Sequence, residues 1–199
     1  NVILATITVP LGAHLALGGV WSSQALGLVA LQTASAICFV AAGNTFNDVS
    51  DVNIDAMAKP HRPIPSGRIS ASDANKVGYA FTFLSALFMA AGVAFTQDIY
   101  PLIGIWTFAA LLMYTYDAGP QTKRMGLIGN VAISLMVGAV IIFGAAAVSL
   151  FDTPIVFFAA GVAFFANLSR EIIKDCEDME SDEGRKTLPM RIGLLNARA

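Results

Sequence analysis

The chain has 199 residues, 56% of them hydrophobic and only 13% charged, with a formal net charge of -2. Soluble domains carry charge on about a quarter of their residues, so this composition excludes an ordinary cytosolic globule. The charges are also segregated, and the long stretches without Asp, Glu, Lys or Arg predict an all-α chain that spends most of its length in lipid.

In chain order the charge-free stretches run Val2 to Val20, Leu26 to Phe46, Val77 to Phe95, Pro101 to Tyr116, Leu127 to Leu150 and Pro154 to Leu168. Each approaches the roughly 20 apolar residues that a bilayer core of about 30 Å requires, which predicts about six spans. Ser70 or Ser72 can cap the third helix, with Asp73 in its first turn, and Pro101 and Pro154 stand where a first helical turn tolerates proline. Lys59, Arg62, Arg68 and Lys76 follow the second stretch, Lys123 and Arg124 the fourth, and Arg170, Lys174, Arg185, Lys186, Arg191 and Arg198 end or follow the sixth. The loops around Ser22, Gln97 and Asp152 hold no base, so the basic connections and the N-terminus are expected in the cytoplasm. The first span begins directly after Asn1, and RIGLLNARA reads as the approach to a further helix, so both ends read as cut. Cys38 lies within a span and Cys176 in an acidic segment, which argues against a disulfide between them. His14 is expected as a packing residue, and Gly12, Gly18, Gly138 and Gly144 as points of close helix contact.

Two long polar segments, Asn47 to Lys76 and Arg170 to Arg191, resemble each other. NDVSDVNID (Asn47 to Asp55) and KDCEDMESD (Lys174 to Asp182) place Asp at the same offsets: Asp48, Asp51 and Asp55 against Asp175, Asp178 and Asp182. On a continuous helix these offsets fall at about 0°, 300° and 340°, one narrow face spanning roughly 10 Å. Two such faces opposed across a cavity would give hard oxygen ligands for Mg²⁺, which prefers carboxylates shared with a phosphate-bearing substrate; Asn47 adds an amide oxygen. A basic, proline-bearing segment follows each motif. Pro60, Pro63 and Pro65 are expected to hold an extended loop over the site, bringing Arg62 and Arg68 to a phosphate or carboxylate, with Arg185 and Lys186 the matching pair in the second loop. No P-loop, nucleophile elbow, HExxH or zinc pattern is present. A membrane cation transporter, the alternative of a different class, would favour acids near the bilayer midplane, whereas these cluster at helix ends.

This pair of motifs resembles the UbiA superfamily of intramembrane prenyltransferases, whose NDxxDxxxD and DxxxD patterns stand here as NDVSDVNID and DCEDMESD. The likeness continues through RPIPSGRIS and KTLPMRIG and covers nearly the whole chain. It implies a polytopic helical bundle with a lipid-open central cavity, one domain over residues 1–199, incomplete at the C-terminus because members have eight or nine spans. It also implies Mg²⁺ held by Asn47, Asp48, Asp51, Asp55, Asp175, Asp178 and Asp182, a prenyl diphosphate, and a lipophilic acceptor. Lys123 and Arg124 stand where the family carries its basic Tyr-xxx-Lys connection, although Tyr116 lies seven residues before Lys123, with Asp117, Gly119 and Pro120 between them. Asn1 matches an asparagine near the family's pocket. Catalytic roles are therefore expected for Asp48, Asp51, Asp175, Asp178, Lys123 and Arg124, and substrate binding for Asn1, Asn47, Arg62, Arg68, Tyr116 and Lys186. DCEDMESDEGRKTLP and RPIPSGRIS look most like the archaeal ether-lipid branch, the digeranylgeranylglyceryl phosphate synthases, which implies geranylgeranyl transfer to geranylgeranylglyceryl phosphate. An aromatic or quinone-precursor acceptor is the alternative within the family. The expected setting is a prokaryotic plasma membrane with the site on its cytoplasmic side, and no nucleic-acid partner.

Overall fold

A computed structural model describes residues 2–177, 179 and 187–198. Its helices are α1 (Val2–Ala16), α2 (Ser23–Ser50), α3 (Val52–Ala58), α4 (Ala71–Val93), α5 (Ile99–Asp117), α6 (Leu127–Ala147), α7 (Pro154–Glu177), α8 (Leu188–Ile192) and α9 (Leu194–Arg198), with a 3₁₀ turn at Thr122–Arg124. No strand occurs among the described residues. The Ser22 hydroxyl accepts from the Ala25 amide and starts α2, and Ser70, rather than Ser72, caps α4 by accepting from the Asp73 amide. Pro154 opens α7, and Pro101 sits in the first turn of α5.

Five helices, α2, α4, α5, α6 and α7, are long and apolar enough to cross a membrane. The first expected span falls short of the other five: α1 has 15 residues and stops at Ala16, where the chain turns through Gly18 and Gly19 at positive φ. Gly18 thus serves a turn, not the helix contact expected of it, since nothing lies within 4 Å of a Cβ built there. Gly12 and Gly144 do make the expected contact, letting α1 and α6 approach through their backbones, and Gly138 brings α6 onto α7. Small side chains dominate the core, among them Ala5, Ala13, Ala145, Ala146 and Ala147, while Phe83, Leu111, Phe158 and Phe165 face outward. That inversion of the soluble pattern is what lipid permits, because apolar surface needs no burial there. The protein is an integral membrane protein with a helical-bundle fold.

Polar side chains inside the bundle tie the helices together. Ser35 of α2 donates to the Ser85 carbonyl of α4 at 2.8 Å, Trp106 of α5 donates to the Ser85 hydroxyl at 2.9 Å, and Gln32 donates to the Met89 carbonyl at 3.3 Å. The spans alternate in direction, so the ends of α2, α5 and α7 and the starts of α4 and α6 share one end of the bundle. At the other end the Asp98 amide donates to the Ser149 hydroxyl, joining the start of α5 to the chain after α6.

Candidate functional site

The first acidic motif does not ride on a continuous helix. Asp51 has φ -99° and ψ 9°, ends α2 and precedes α3, so the narrow single face expected for Asp48, Asp51 and Asp55 is broken at its middle member. The amide of Asp51 still donates to the Asn47 carbonyl, and that of Asp55 to the Asp51 carbonyl, so the chain turns without losing its hydrogen bonds. The break sorts the three carboxylates between two cations. Arg62 Nη1 reaches Asp48 Oδ1 at 3.1 Å and Asp55 Oδ2 at 2.6 Å, while Lys123 Nζ lies 2.9 Å from Asp51 Oδ1. The residues that carry Arg62 are not extended as their prolines led us to expect. The Ser66 amide donates to the Arg62 carbonyl and that of Ile69 to the Pro63 carbonyl, so the segment folds into turns that return the guanidinium to the motif. Arg68 is exposed and holds this loop from inside, donating to the His61 carbonyl at 2.6 Å and to the Ser66 hydroxyl at 3.1 Å.

Lys123 is placed by backbone geometry. Gln121 enters the 3₁₀ turn at φ 52° and Gly126 leaves it at φ 61° and ψ -121°, a conformation that only glycine adopts without strain. A Cβ on Gly129 would lie 2.7 Å from the Thr122 carbonyl oxygen and 2.9 Å from Lys123 Cα, so this glycine lets the turn rest directly on the first turn of α6. The side chain of Lys123 is then only 4% exposed. Its ammonium donates to Asn47 Oδ1 at 3.2 Å and to the Ser50 hydroxyl, and it touches both Asp51 and, at 3.2 Å, Asp117 Oδ1. Asp117 ends α5, is 5% exposed, and is absent from the expected site residues. Its neighbour Tyr116 is half-buried on the same last turn, and Arg124 is exposed.

The second motif begins on the last turn of α7. There Asp175 Oδ2 accepts from Asn130 Nδ2 at 2.8 Å, and Asn130 is buried on the first turn of α6. The ladder continues inward, with Ser134 donating to the Asn130 carbonyl at 2.6 Å and Asn167 of α7 donating to Ser134 at 3.1 Å. The start of α6 thus joins the two motifs: Gly129 seats the Lys123 turn over the first, and Asn130 holds the leading acid of the second. Asn1, Asp178, Asp182 and Lys186 lie outside the described residues. Among the described residues, no group of three or more His, Cys, Asp and Glu is placed to hold a metal ion. Asp48 and Asp55 instead share Arg62, and Asp51 and Asp117 share Lys123. His14 accepts from the indole of Trp21 at 3.1 Å, consistent with a packing role.

The donor chemistry suits a hard divalent cation. Asp48, Asp51, Asp55 and Asp117 present only oxygen and Asn47 adds an amide oxygen, and the Asp51 and Asp117 Oδ1 atoms are buried against the Lys123 ammonium without completing a hydrogen bond to it. Oxygen atoms in that condition still have acceptor capacity to offer a cation.

The chain is 37% identical over 199 residues to digeranylgeranylglyceryl phosphate synthase of Pyrococcus abyssi, which covers 99% of this chain and 67% of that protein. It is 40% identical over 163 residues to the synthase of the same name from Methanopyrus kandleri, covering 80% of this chain and 55% of that one. A structure solved for insight into digeranylgeranylglyceryl phosphate synthase in membranes superposes with a TM-score of 0.75 at 30% identity, covering 96% of this chain and 64% of the other. A UbiA homologue from Archaeoglobus fulgidus, bound to DMAPP and Mg²⁺, shares the fold at a TM-score of 0.74 and 21% identity, over 98% of this chain and 68% of its own. This chain therefore spans between half and just over two thirds of the length of these proteins. Residues 5–199 match the UbiA prenyltransferase family. With its helical bundle and its acidic motifs at the helix ends, the chain belongs to the UbiA prenyltransferase family.

Proposed function

We propose that this protein transfers a geranylgeranyl group from its diphosphate to the free hydroxyl of geranylgeranylglyceryl phosphate, in a Mg²⁺-dependent step of ether-lipid synthesis. The observation that carries this reading is the gathering of Asn47, Asp48, Asp51, Asp55 and Asp175 at one end of a lipid-facing bundle, interleaved with Arg62 and Lys123. The 37% and 40% identity to digeranylgeranylglyceryl phosphate synthases supports this acceptor over an aromatic one.

On this reading Asn47, Asp48, Asp51 and Asp55 hold Mg²⁺ from the first motif, and Asp175 with Asp178 and Asp182 from the second. Bound there, the metal supplies neutralisation of the charge that grows on the departing diphosphate. Lys123 and Arg124 add fixed positive charge at the same end, which favours the separated charges of the transition state over the intact ester. Arg62, Arg68 and Lys186 are suited to the phosphate of the acceptor, because a guanidinium binds a phosphate through paired hydrogen bonds. Asn1 and Tyr116 complete the proposed substrate contacts. The prenyl tails occupy a lipid-open cavity among the spans, residues 1–199 act as one domain, and the site faces the cytoplasm of a prokaryotic cell, a placement that the basic loops support.

The deciding experiment supplies membranes containing the protein with geranylgeranyl diphosphate, geranylgeranylglyceryl phosphate and 4-hydroxybenzoate, with Mg²⁺ or with EDTA. The expected result is a digeranylgeranyl ether lipid, with diphosphate released only in the presence of Mg²⁺. Exclusive prenylation of the aromatic acid would overturn the ether-lipid assignment, and cation flux without any diphosphate release would overturn prenyl transfer altogether.

A further inference from the structure

Lys123 carries one positive charge into a pocket that holds two carboxylates. Its hydrogen bonds go to neutral acceptors on the last turns of α2, Asn47 Oδ1 and the Ser50 hydroxyl, which anchor the ammonium to the first motif. Asp51 and Asp117 flank it at 2.9 and 3.2 Å from opposite helices, α2 and α5. Asp51 belongs to the metal-binding motif, whereas Asp117 belongs to none and is the more deeply buried of the two, its side chain 5% exposed against 15%. Burying a second carboxylate beside a single ammonium is unfavourable unless a further cation offsets the surplus charge.

We infer that Asp117 is a positioning residue for Lys123: it holds the ammonium when Asp51 turns to a metal, and it keeps surplus negative charge at the first motif. This rests on the metal-binding role of Asp51 proposed above. Without Asp117, Lys123 and Asp51 form a neutral pair, and a metal must displace the ammonium from the one carboxylate left to it among the described residues. With Asp117, the ammonium keeps a partner a few ångströms away, so Asp51 is released at lower cost. The same lysine remains beside the first motif, where it can meet the diphosphate.

The test measures Mn²⁺ binding by electron paramagnetic resonance on the intact protein in detergent, without substrate. One unit charge removed from a partly desolvated site alters cation affinity by about tenfold or more, so Asp117→Asn is expected to weaken Mn²⁺ binding about tenfold, and Lys123→Gln to tighten it by a similar factor. Asp117→Glu, which restores the charge, should return most of the affinity, and the Michaelis constant for prenyl diphosphate should follow the metal affinity more than the turnover rate does. If Asp117→Asn does not fold, the Asp117→Asn/Lys123→Gln pair, which removes both charges, is compared with Lys123→Gln alone; about tenfold weaker Mn²⁺ binding in the pair is expected from the surplus charge, and equal affinities would overturn that role. Unchanged Mn²⁺ affinity in Asp117→Asn, alongside weakened binding in Asp51→Asn, would overturn the role of Asp117 and leave the metal motif standing. Absence of saturable Mn²⁺ binding in the unmodified protein would overturn both.

Discussion

Asn130 donates from Nδ2 to Asp175 Oδ2 at 2.8 Å, so the first turn of α6 fixes the leading carboxylate of the second motif. The bond turns one oxygen of Asp175 toward α6. A hydrogen bond to a charged group is worth about 1.5–3 kcal/mol, and Asp175 is only partly buried, so water can replace the amide at modest cost to stability. Asn130→Ala is expected to lower kcat/KM by roughly tenfold with a small change in thermal midpoint, and Asn130→Asp, which sets a like charge against Asp175, to lower it further. Steady-state kinetics alongside thermal unfolding in detergent checks this, and unaltered kinetics in both variants would show that Asp175 needs no such support.

The two acidic motifs were legible because their spacing repeats, and the spans because charge is excluded from them. What the spacing could not show is the break at Asp51: the angular argument assumed one helix, and NDVSDVNID contains no Gly or Pro to warn otherwise. Asp117 escaped notice because a lone acid after an apolar run reads as the first residue of a loop, whereas α5 continues through it. Asn130 left a fainter trace. It stands, like Asn167, Ser134 and Gln32, within a stretch otherwise free of large polar side chains, and an amide in lipid must find a partner. Small-residue contacts were read correctly at Gly12, Gly138 and Gly144 but not at Gly18, since composition does not distinguish a glycine that admits a neighbour from one that admits a positive φ.

Arg62 bridges Asp48 and Asp55, and the Asp55 side chain is only 7% exposed. A metal would compete with Arg62 for those carboxylates, and an anionic substrate would compete with them for Arg62, so the loop from Lys59 to Ile69 is expected to change its accessibility on binding. Cleavage by trypsin after Arg68, the base of this loop that no proline follows, should differ between the free protein and the protein with prenyl diphosphate and Mg²⁺, and identical cleavage would exclude a capping role. Arg62→Ala leaves Asp55 without its cation and is expected to cost about 1–3 kcal/mol in stability, the penalty for an orphaned buried acceptor. Arg62→Lys keeps the charge but loses the planar fork, so it should recover stability more fully than activity.

The crossing of α1 and α6 rests on two glycines facing each other's backbone. A Cβ built on Gly12 would lie 1.9 Å from the Ile141 carbonyl oxygen, and one on Gly144 would lie 2.0 Å from that of Val9. Neither obstacle is a side chain that can rotate away, so the helices must separate to admit even a methyl group, and separation loosens the contacts of Ala5, Val9 and Ala13 with the core. Overpacking of this kind costs about 1–3 kcal/mol. Gly12→Ala and Gly144→Ala are therefore each expected to lower the thermal midpoint in detergent or bilayers. Gly104→Ala on α5, where nothing lies within 4 Å, is the matched control and should hold or raise the midpoint, because alanine is the better helix former by about 1 kcal/mol. Both glycines serve the same crossing, so the double variant should cost less than the sum of the two, since helices already parted by one methyl group have room for the second. A fully additive double variant, or midpoints no lower than the control's, would show that α1 and α6 do not meet as closely as their backbones indicate.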